Sequence, residues 1–238
     1  MIDLRHGDCL ELMKDIPDKS IDMILCDLPY GTTSCKWDVV IPFEPLWEQY
    51  KRIIKDGGAI VLFGSEPFSS ALRMSNINDF KYDWIWNKSQ AGNPFLTKRQ
   101  PMKIHECISV FNSTIYNPQM TKGKPRMKGG YQDKDNDMFG AKPKYKSYWS
   151  DEYYPKSILQ FSNAAKKGRL HTAQKPVPLL EYLIKTYTNE GETVLDNCMG
   201  SGSTGVACIN TNRSFIGIEK DDKYFAIAEE RINAAKAS

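Results

Sequence analysis

Long apolar runs are missing from this sequence, and histidines and paired cysteines are nearly so. No stretch approaches the roughly 20 apolar residues that a bilayer-spanning helix needs, so a membrane protein of that kind is excluded. Three histidines, His6, His105 and His171, are too few for a histidine-rich metal centre. The six cysteines, Cys9, Cys26, Cys35, Cys107, Cys198 and Cys208, include no C-x-x-C pair and no histidine at zinc-finger spacing. Reduced thiols and no metal are expected, although carboxylate sites for a hard cation stay open. The N-terminal "MIDLRHGDCLELM" has neither a basic flank before an apolar block nor a small-residue cleavage site, so no secretory signal and a cytoplasmic location are expected. No internal repeat or low-complexity tract is present.

What is there is ordinary globular material with an uneven charge. Of 238 residues, 41% are hydrophobic and 26% charged, enough for one substantial core. The net charge of +3 hides a contrast: between Asn93 and Arg169 there are 15 Lys and Arg against 6 Asp and Glu, and elsewhere 17 against 23. In the middle, "TKGKPRMKGG", "AKPKYKSYW" and "AAKKGR" interleave cations with Tyr131, Tyr145, Tyr148, Trp149, Tyr153 and Tyr154. A lysine run by itself is usually a solvated face; lysines with aromatic rings among them suit a polyanion whose bases stack. Lys122, Lys124, Arg126 and Lys128 are the candidate contacts.

Around this block the hydrophobic pattern alternates between strand and helix. "IDLRHG", the helix-like "DCLELMKDI" and the apolar "IDMILCDLPY" come first, then "FEPLWEQYKRIIK", with Leu46, Tyr50 and Ile53–Ile54 on one helical face, stopped by "DGG" before the strand "AIVLFG". "EPFSSALRMS" reads as a helix, and "KYDWIWNKS" and "HECISVF" as strands. After a Lys-, Gly-, Pro- and Tyr-rich stretch without hydrophobic period, the alternation resumes with "PVPLLEYLIKTYT", "ETVLD", "STGVACINT", "RSFIGIE" and "DDKYFAIAEERINAAK". This is an α/β pattern with a mostly parallel sheet. The expected organisation is residues 1–111, a loop-rich insert over 112–168, and residues 169–238 completing the first part.

Two strand ends carry the chemistry. In "VLDNCMGSGSTG", Gly200, Gly202 and Gly205 spell G-x-G-x-x-G between a strand and a helix, and Glu219 closes the next strand. Such a turn lets a ligand approach the main chain, and the acidic residue accepts ribose hydroxyls, so an adenosine-bearing cofactor is expected. Too little chain follows for the second half of a dinucleotide fold, which makes NAD awkward and a smaller nucleoside suitable. In "ILCDLPYGTT", an apolar run ends in Asp27 and is broken by Pro29, Tyr30 and Gly31, placing a carboxylate and a ring where a buried strand surfaces.

Together "GDCLELM", "DLPYG", "HTAQKPVPLLEYLI", "VLDNCMGSGSTG" and "FIGIEKDDKYFAIAEERI" resemble the β-class amino-group DNA methyltransferases, in which the catalytic motif precedes the S-adenosylmethionine motif. The resemblance covers about two-thirds of the chain. It implies a Rossmann-like methyltransferase fold in permuted order, with helices on both faces of the sheet. It implies methyl transfer from S-adenosylmethionine to adenine N6 in double-stranded DNA, with base flipping. It assigns Asp27, the Leu28 carbonyl, Pro29 and Tyr30 to catalysis. Asp8, Lys175, Asp196, Cys198, Gly200, Gly202 and Glu219 fall to the cofactor. Leu28 departs from the proline usual at the second motif position, which a carbonyl contact tolerates. Asn197-Cys198 stands where Pro-Phe is usual, and leaves the Cys198 contact open. The resemblance also admits a homodimer, which no heptad or apolar stripe demands. Asp8 has an alternative reading as a helix cap. His105 and Glu106 are expected in a structural role or at the edge of the substrate, and Asn87 and Lys88 either border the DNA cleft or simply close a strand. N4-cytosine or RNA methylation, a catalytically silent nucleic-acid-binding module and an NAD-dependent oxidoreductase are the rival readings. An intact Asp27–Tyr30 stretch opposes the silent module, and chain order opposes the oxidoreductase.

Overall fold

The structure is a computed structural model and describes every residue except 34, 36, 93–95, 130–145, 164–173 and 238. Tyr131, Tyr145, His171 and the lysine runs at 142–144 and 166–167 lie outside the described residues. The elements are β1 (Ile2–His6), α1 (Cys9–Leu12), β2 (Ile21–Cys26), α2 (Phe43–Ile53), β3 (Ile54–Gly64), α3 (Phe68–Ser75), β4 (Phe80–Asn87), β5 (His105–Phe111), β6 (Thr121–Lys128), β7 (Tyr148–Tyr153), β8 (Ile158–Gln160), α4 (Val177–Tyr187), β9 (Thr193–Asp196), α5 (Ser203–Asn210), β10 (Ser214–Glu219) and α6 (Asp222–Lys236).

Eight strands form one sheet in the order β1-β10-β9-β2-β3-β5-β4-β8. Neighbours are parallel except where β5 runs against β3 and β4. Every residue of β2 is buried, as expected of a central parallel strand covered on both faces. Its side chains alternate. Met23 and Leu25 pack with Val61, Phe63 and Val194 against Leu183 of α4, Ala207 of α5 and Ile232 of α6. Ile24 and Cys26 pack with Ile60, Leu62 and Leu195 against Cys9 of α1, Tyr50 of α2 and Leu72 of α3. The sheet covered by helices on both faces, which the resemblance implies, is therefore present.

One boundary differs from the sequence reading. α2 stops at Ile53 and β3 begins at Ile54, ahead of the "DGG" turn. Ile54 is buried and pairs with Ile21, and the slack of Gly57 and Gly58 is taken up as a register shift between the pairings of Ile21 and Met23.

By its contacts the chain divides into Met1–Asn117 with Ser157–Ser238, and Pro118–Lys156. The second stretch is shorter at both ends than the insert expected over 112–168. On one side, Asn112 N–H donates to Asp79 O at 2.9 Å and Asn117 N–H to Thr186 O at 2.8 Å. On the other, β8 pairs with β4. Those segments satisfy their backbone polar groups within the larger unit. The smaller unit contains an antiparallel ribbon of β6 and β7, with Met127 opposite Trp149 and Lys128 opposite Tyr148. Both faces of the ribbon are largely exposed, so no apolar alternation announces it in the sequence. No helix among the described residues is long and apolar enough to cross a membrane.

Candidate active site

A cavity of about 760 Å³ opens in the larger unit at the carboxyl ends of β1, β2, β9 and β10, the customary ligand position of an open α/β sheet. Asp8 follows β1, Asp27 follows β2, Asp196 ends β9 and Glu219 ends β10, and all four line it. Because β2 pairs directly with β9, with Ile24 opposite Leu195, Asp27 and the Gly200 turn face the same space.

At the β9–β10 side the groups are held mainly by backbone. Gly200 has φ +52°, and a Cβ built there would meet nothing within 4 Å; its N–H donates to Glu219 Oε2 at 2.8 Å. Glu219 Oε1 accepts from the N–H groups of Lys220 at 2.9 Å and Asp221 at 2.8 Å. Asp8 does two things: Oδ1 caps α1 by accepting from Leu10 N–H at 3.0 Å, and Oδ2 takes Lys220 Nζ at 3.0 Å. The Lys220 hydrogen bond holds its carboxyl below the usual range against a modest burial penalty. Asp196 is buried, with Oδ2 accepting from Thr204 Oγ1 at 2.6 Å and Oδ1 from Cys198 N–H at 3.1 Å. Burial dominates and pushes it up to about 6. Cys198 lines the cavity, while Asn197 Oδ1 accepts from the buried Tyr50 hydroxyl at 2.6 Å.

Gly202, expected at the cofactor, is absent from the cavity wall. Its φ is +75°, and a Cβ there would come within 3.0 Å of the Ala228 backbone. The second glycine of the motif thus serves the approach of α6 to the turn, and among the first two only Gly200 faces the cavity.

At the β2 side, side chains do the holding. Tyr30 OH donates to Asp27 Oδ1 at 2.5 Å, and Lys175 Nζ donates to Asp27 Oδ2. Lys175 also lies 3.4 Å from Glu106 Oε2, and Lys88 Nζ donates to Glu106 Oε1 at 3.0 Å. Lys88, Glu106, Lys175 and Asp27 therefore form a row of alternating charge along the cavity wall. Desolvation raises Asp27 above the usual carboxylate range despite Lys175. For Lys175 the opposite balance holds: burial lowers it, and the attraction of Asp27 and Glu106 together raises it. Lys175, expected to complete the cofactor pocket, lines the cavity and places its ammonium on the Asp27 carboxylate.

The loop that follows is fixed by a residue that motif reading passed over. Asp38 is buried and accepts from the backbone N–H groups of Tyr30 (2.7 Å), Gly31 (2.8 Å), Thr32 (2.9 Å) and Thr33 (2.7 Å). Burial raises its carboxyl, but the Thr33 hydroxyl and these N–H groups outweigh that and leave it below the usual range. Leu28 is buried in the core beside α2, and the Tyr30 ring lies 5.1 Å from that of Phe68. An isolated Asp after a Thr-rich loop hints at such a turn, whereas Glu106, expected only in a structural or substrate-edge role, lines the cavity from β5, which pairs with β4. Asn87, at the end of β4, accepts from Ser89 N–H at 2.9 Å through Oδ1, so of the pair expected at the cleft border only Lys88 lines the cavity.

In the smaller unit Lys122, Lys124 and Arg126 are exposed and Lys128 is half-buried. Arg126 lies 4.2 Å over the Tyr153 ring centroid, and Lys128 Nζ donates to Ser150 Oγ at 3.2 Å.

Residues 21–230 match the family model described as DNA methylase, of the N6/N4 kind. The Type II methyltransferase M.HinfI of Haemophilus influenzae is 29% identical over 97% of this chain and 68% of its own length. M.HpaI of Haemophilus parainfluenzae is 27% identical over 96% and 73%. Among solved structures, the M1.HpyAVI–SAM complex superposes with a TM-score of 0.65 at 25% identity, covering 98% of this chain and all of that one. The cytosine-N4-specific PvuII DNA methyltransferase shares the fold, with a TM-score of 0.70 at 16% identity over 99% and 91% of the two chains.

Proposed function

The chain belongs to the N6/N4 DNA methylase family, and from that membership we propose that it is a site-specific methyltransferase taking its methyl group from S-adenosylmethionine to adenine N6 in double-stranded DNA. The observation that carries this reading is the single cavity shared by Asp27 and the Gly200 turn.

The cavity's own features suit the cofactor. The empty space where Gly200 would carry a Cβ admits a ligand against the main chain. Asp8 and Glu219 offer oriented acceptors for an adenosine amine and ribose hydroxyls, and Asp196 and Cys198 border the methionine end. When bound, S-adenosylmethionine supplies an electrophilic methyl group on a positively charged sulfur.

An exocyclic amine is a poor nucleophile because its lone pair is delocalised into the ring. Asp27 and the Leu28 carbonyl accept its two N–H groups and favour rehybridisation, so that the lone pair points at the methyl carbon. The N–C bond would form as the methyl–sulfur bond breaks and leaves a neutral thioether, and the proton released by nitrogen would pass to Asp27. A raised carboxyl pKa suits that last step. Reaching the amine requires the base to leave the duplex stack, and the Tyr30 ring offers it a face. The aspartate at position 27 supports adenine, since N4-cytosine relatives tend to carry serine there. The exposed Lys122, Lys124 and Arg126, with Lys128, supply charge for the phosphate backbone.

The test is transfer of a labelled methyl group to duplex DNA, followed by nucleoside digestion and mass identification. N6-methyladenine at a defined sequence supports the proposal. N4-methylcytosine overturns the choice of base, and absence of label in DNA overturns the activity.

A further inference from the structure

Each oxygen of Asp27 holds a side-chain donor before any base arrives. Tyr30 OH occupies one carboxylate oxygen and Lys175 Nζ the other. An amine N–H that approaches Asp27 Oδ2 competes there with the Lys175 ammonium. Displacing Lys175 would strand an ammonium whose side chain is only 9% exposed, which is costly unless a partner stands ready.

The structure contains that partner. Glu106 Oε2 is buried and, among the described residues, meets no aligned hydrogen-bond donor, yet Lys175 Nζ is 3.4 Å away. The other oxygen, Oε1, is pinned by Lys88 at 3.0 Å, so Glu106 is held in place with one acceptor open towards Lys175. Resting on the methyltransferase reading above, we propose that Glu106 is a positioning residue: it takes up the Lys175 ammonium when the target amine enters, and thereby frees Asp27 Oδ2 to accept an amine N–H.

No proton and no electron pair changes owner in this exchange. Lys175 keeps its charge and trades one carboxylate for another, and Asp27 trades an ammonium donor for an amine donor. The groups facing Asp27 are Lys175, Tyr30 and Glu106, with Asp196 and Cys26 at longer range. Of these only Lys175 has a second, opposite charge within reach. After the exchange Glu106 faces both Lys88 and Lys175, and Asp27 keeps the Tyr30 hydroxyl and gains the amine N–H.

The test is a double-mutant cycle read by single-turnover methyl transfer to duplex DNA at saturating cofactor, with cofactor affinity and melting temperature measured alongside. Glu106→Gln keeps the shape but removes the charge that receives Lys175. It is expected to slow transfer on the order of a hundredfold while cofactor affinity stays within about twofold of wild type. Glu106→Asp, which restores the charge, is expected to recover a measurable part of the rate. Once Lys175 is itself replaced by Gln, Glu106→Gln is expected to cost nothing further, because there is no ammonium left to receive. A Glu106→Gln rate equal to wild type, or effects of the two replacements that multiply, overturns the positioning role while leaving the methyltransferase reading intact. A folded wild-type protein that transfers no methyl group to DNA overturns both.

Discussion

The two ends of the cavity hold their carboxylates by different means. Glu219 is gripped by three main-chain N–H groups, from Gly200, Lys220 and Asp221. Asp27 is gripped by a tyrosine hydroxyl and a lysine ammonium, both at the tips of side chains. Backbone donors at a strand end cannot leave without unfolding the turn, so the Glu219 end is preorganised and suits a ligand that is bound the same way every time. Side-chain donors can rotate away, so the Asp27 end suits a group that must change partners within one turnover.

The sharpest way to break this comparison is to remove each carboxylate. Asp27→Ala is expected to reduce methyl transfer by at least roughly a thousandfold with cofactor affinity nearly unchanged, measured by single-turnover label transfer and by calorimetric titration. Glu219→Gln is expected to do the reverse: weaker cofactor binding by about ten- to a hundredfold, the loss of charge-assisted hydrogen bonds, and a much smaller change in rate once cofactor is saturating. Matching profiles for the two variants would abolish the distinction.

The buried aspartates beside these ends sharpen it through pH. Asp38 titrates below the usual range in the folded chain. Its stabilising contribution is therefore complete above the unfolded carboxylate pKa of about 3.9 and is lost as pH falls through the lower folded value. Asp38→Asn, which cannot accept all four N–H groups with its amide, is expected to cost on the order of 2 kcal/mol near neutrality, and the gap to wild type should close on acidification. Asp196 has the opposite sign. With its folded pKa raised to about 6, stability declines as pH rises from about 3.9 through 6, because a buried carboxyl must then ionise. Asp196→Asn, whose amide can still face Thr204 and Cys198, is expected to flatten that decline and to melt higher than wild type at pH 8. Thermal melts of the three proteins from about pH 2 to about pH 8 measure both effects.

The smallest expected effect concerns the ribbon of the smaller unit. Replacing Lys122 and Lys124 by Gln should weaken DNA binding and lower the slope of log affinity against log salt by about 0.9 for each phosphate that is no longer neutralised, leaving the transfer rate on saturating DNA unchanged. Titrations at several salt concentrations read the slope directly.

Much of this was legible in the residue order. The buried strand "IDMILC" running into "DLPY", and the glycine turn running into a helix, place polar groups at strand ends because apolar runs must stop where the sheet meets solvent. The role of Asp8 as a helix cap was legible as well, because capping follows local spacing. What stayed hidden depends on residues distant in the chain. Gly202 looks like Gly200 in the motif, yet Ala228 of α6 decides that it serves packing. Lys175 carries no sign that its ammonium meets Asp27, and Glu106 sits in an unremarkable strand.

The sequence by itself determined where the sheet ends in carboxylates and which turn is open enough to admit a ligand, since these depend on local pattern and on a missing Cβ. Only the tertiary structure decided that β2 lies beside β9, that Asp38 ties down the Tyr30 loop, and that Lys88, Glu106, Lys175 and Asp27 fall into one row of alternating charge. Buried charges are tolerable only beside their opposites, and those neighbours come from separate strands and loops that no local spacing connects.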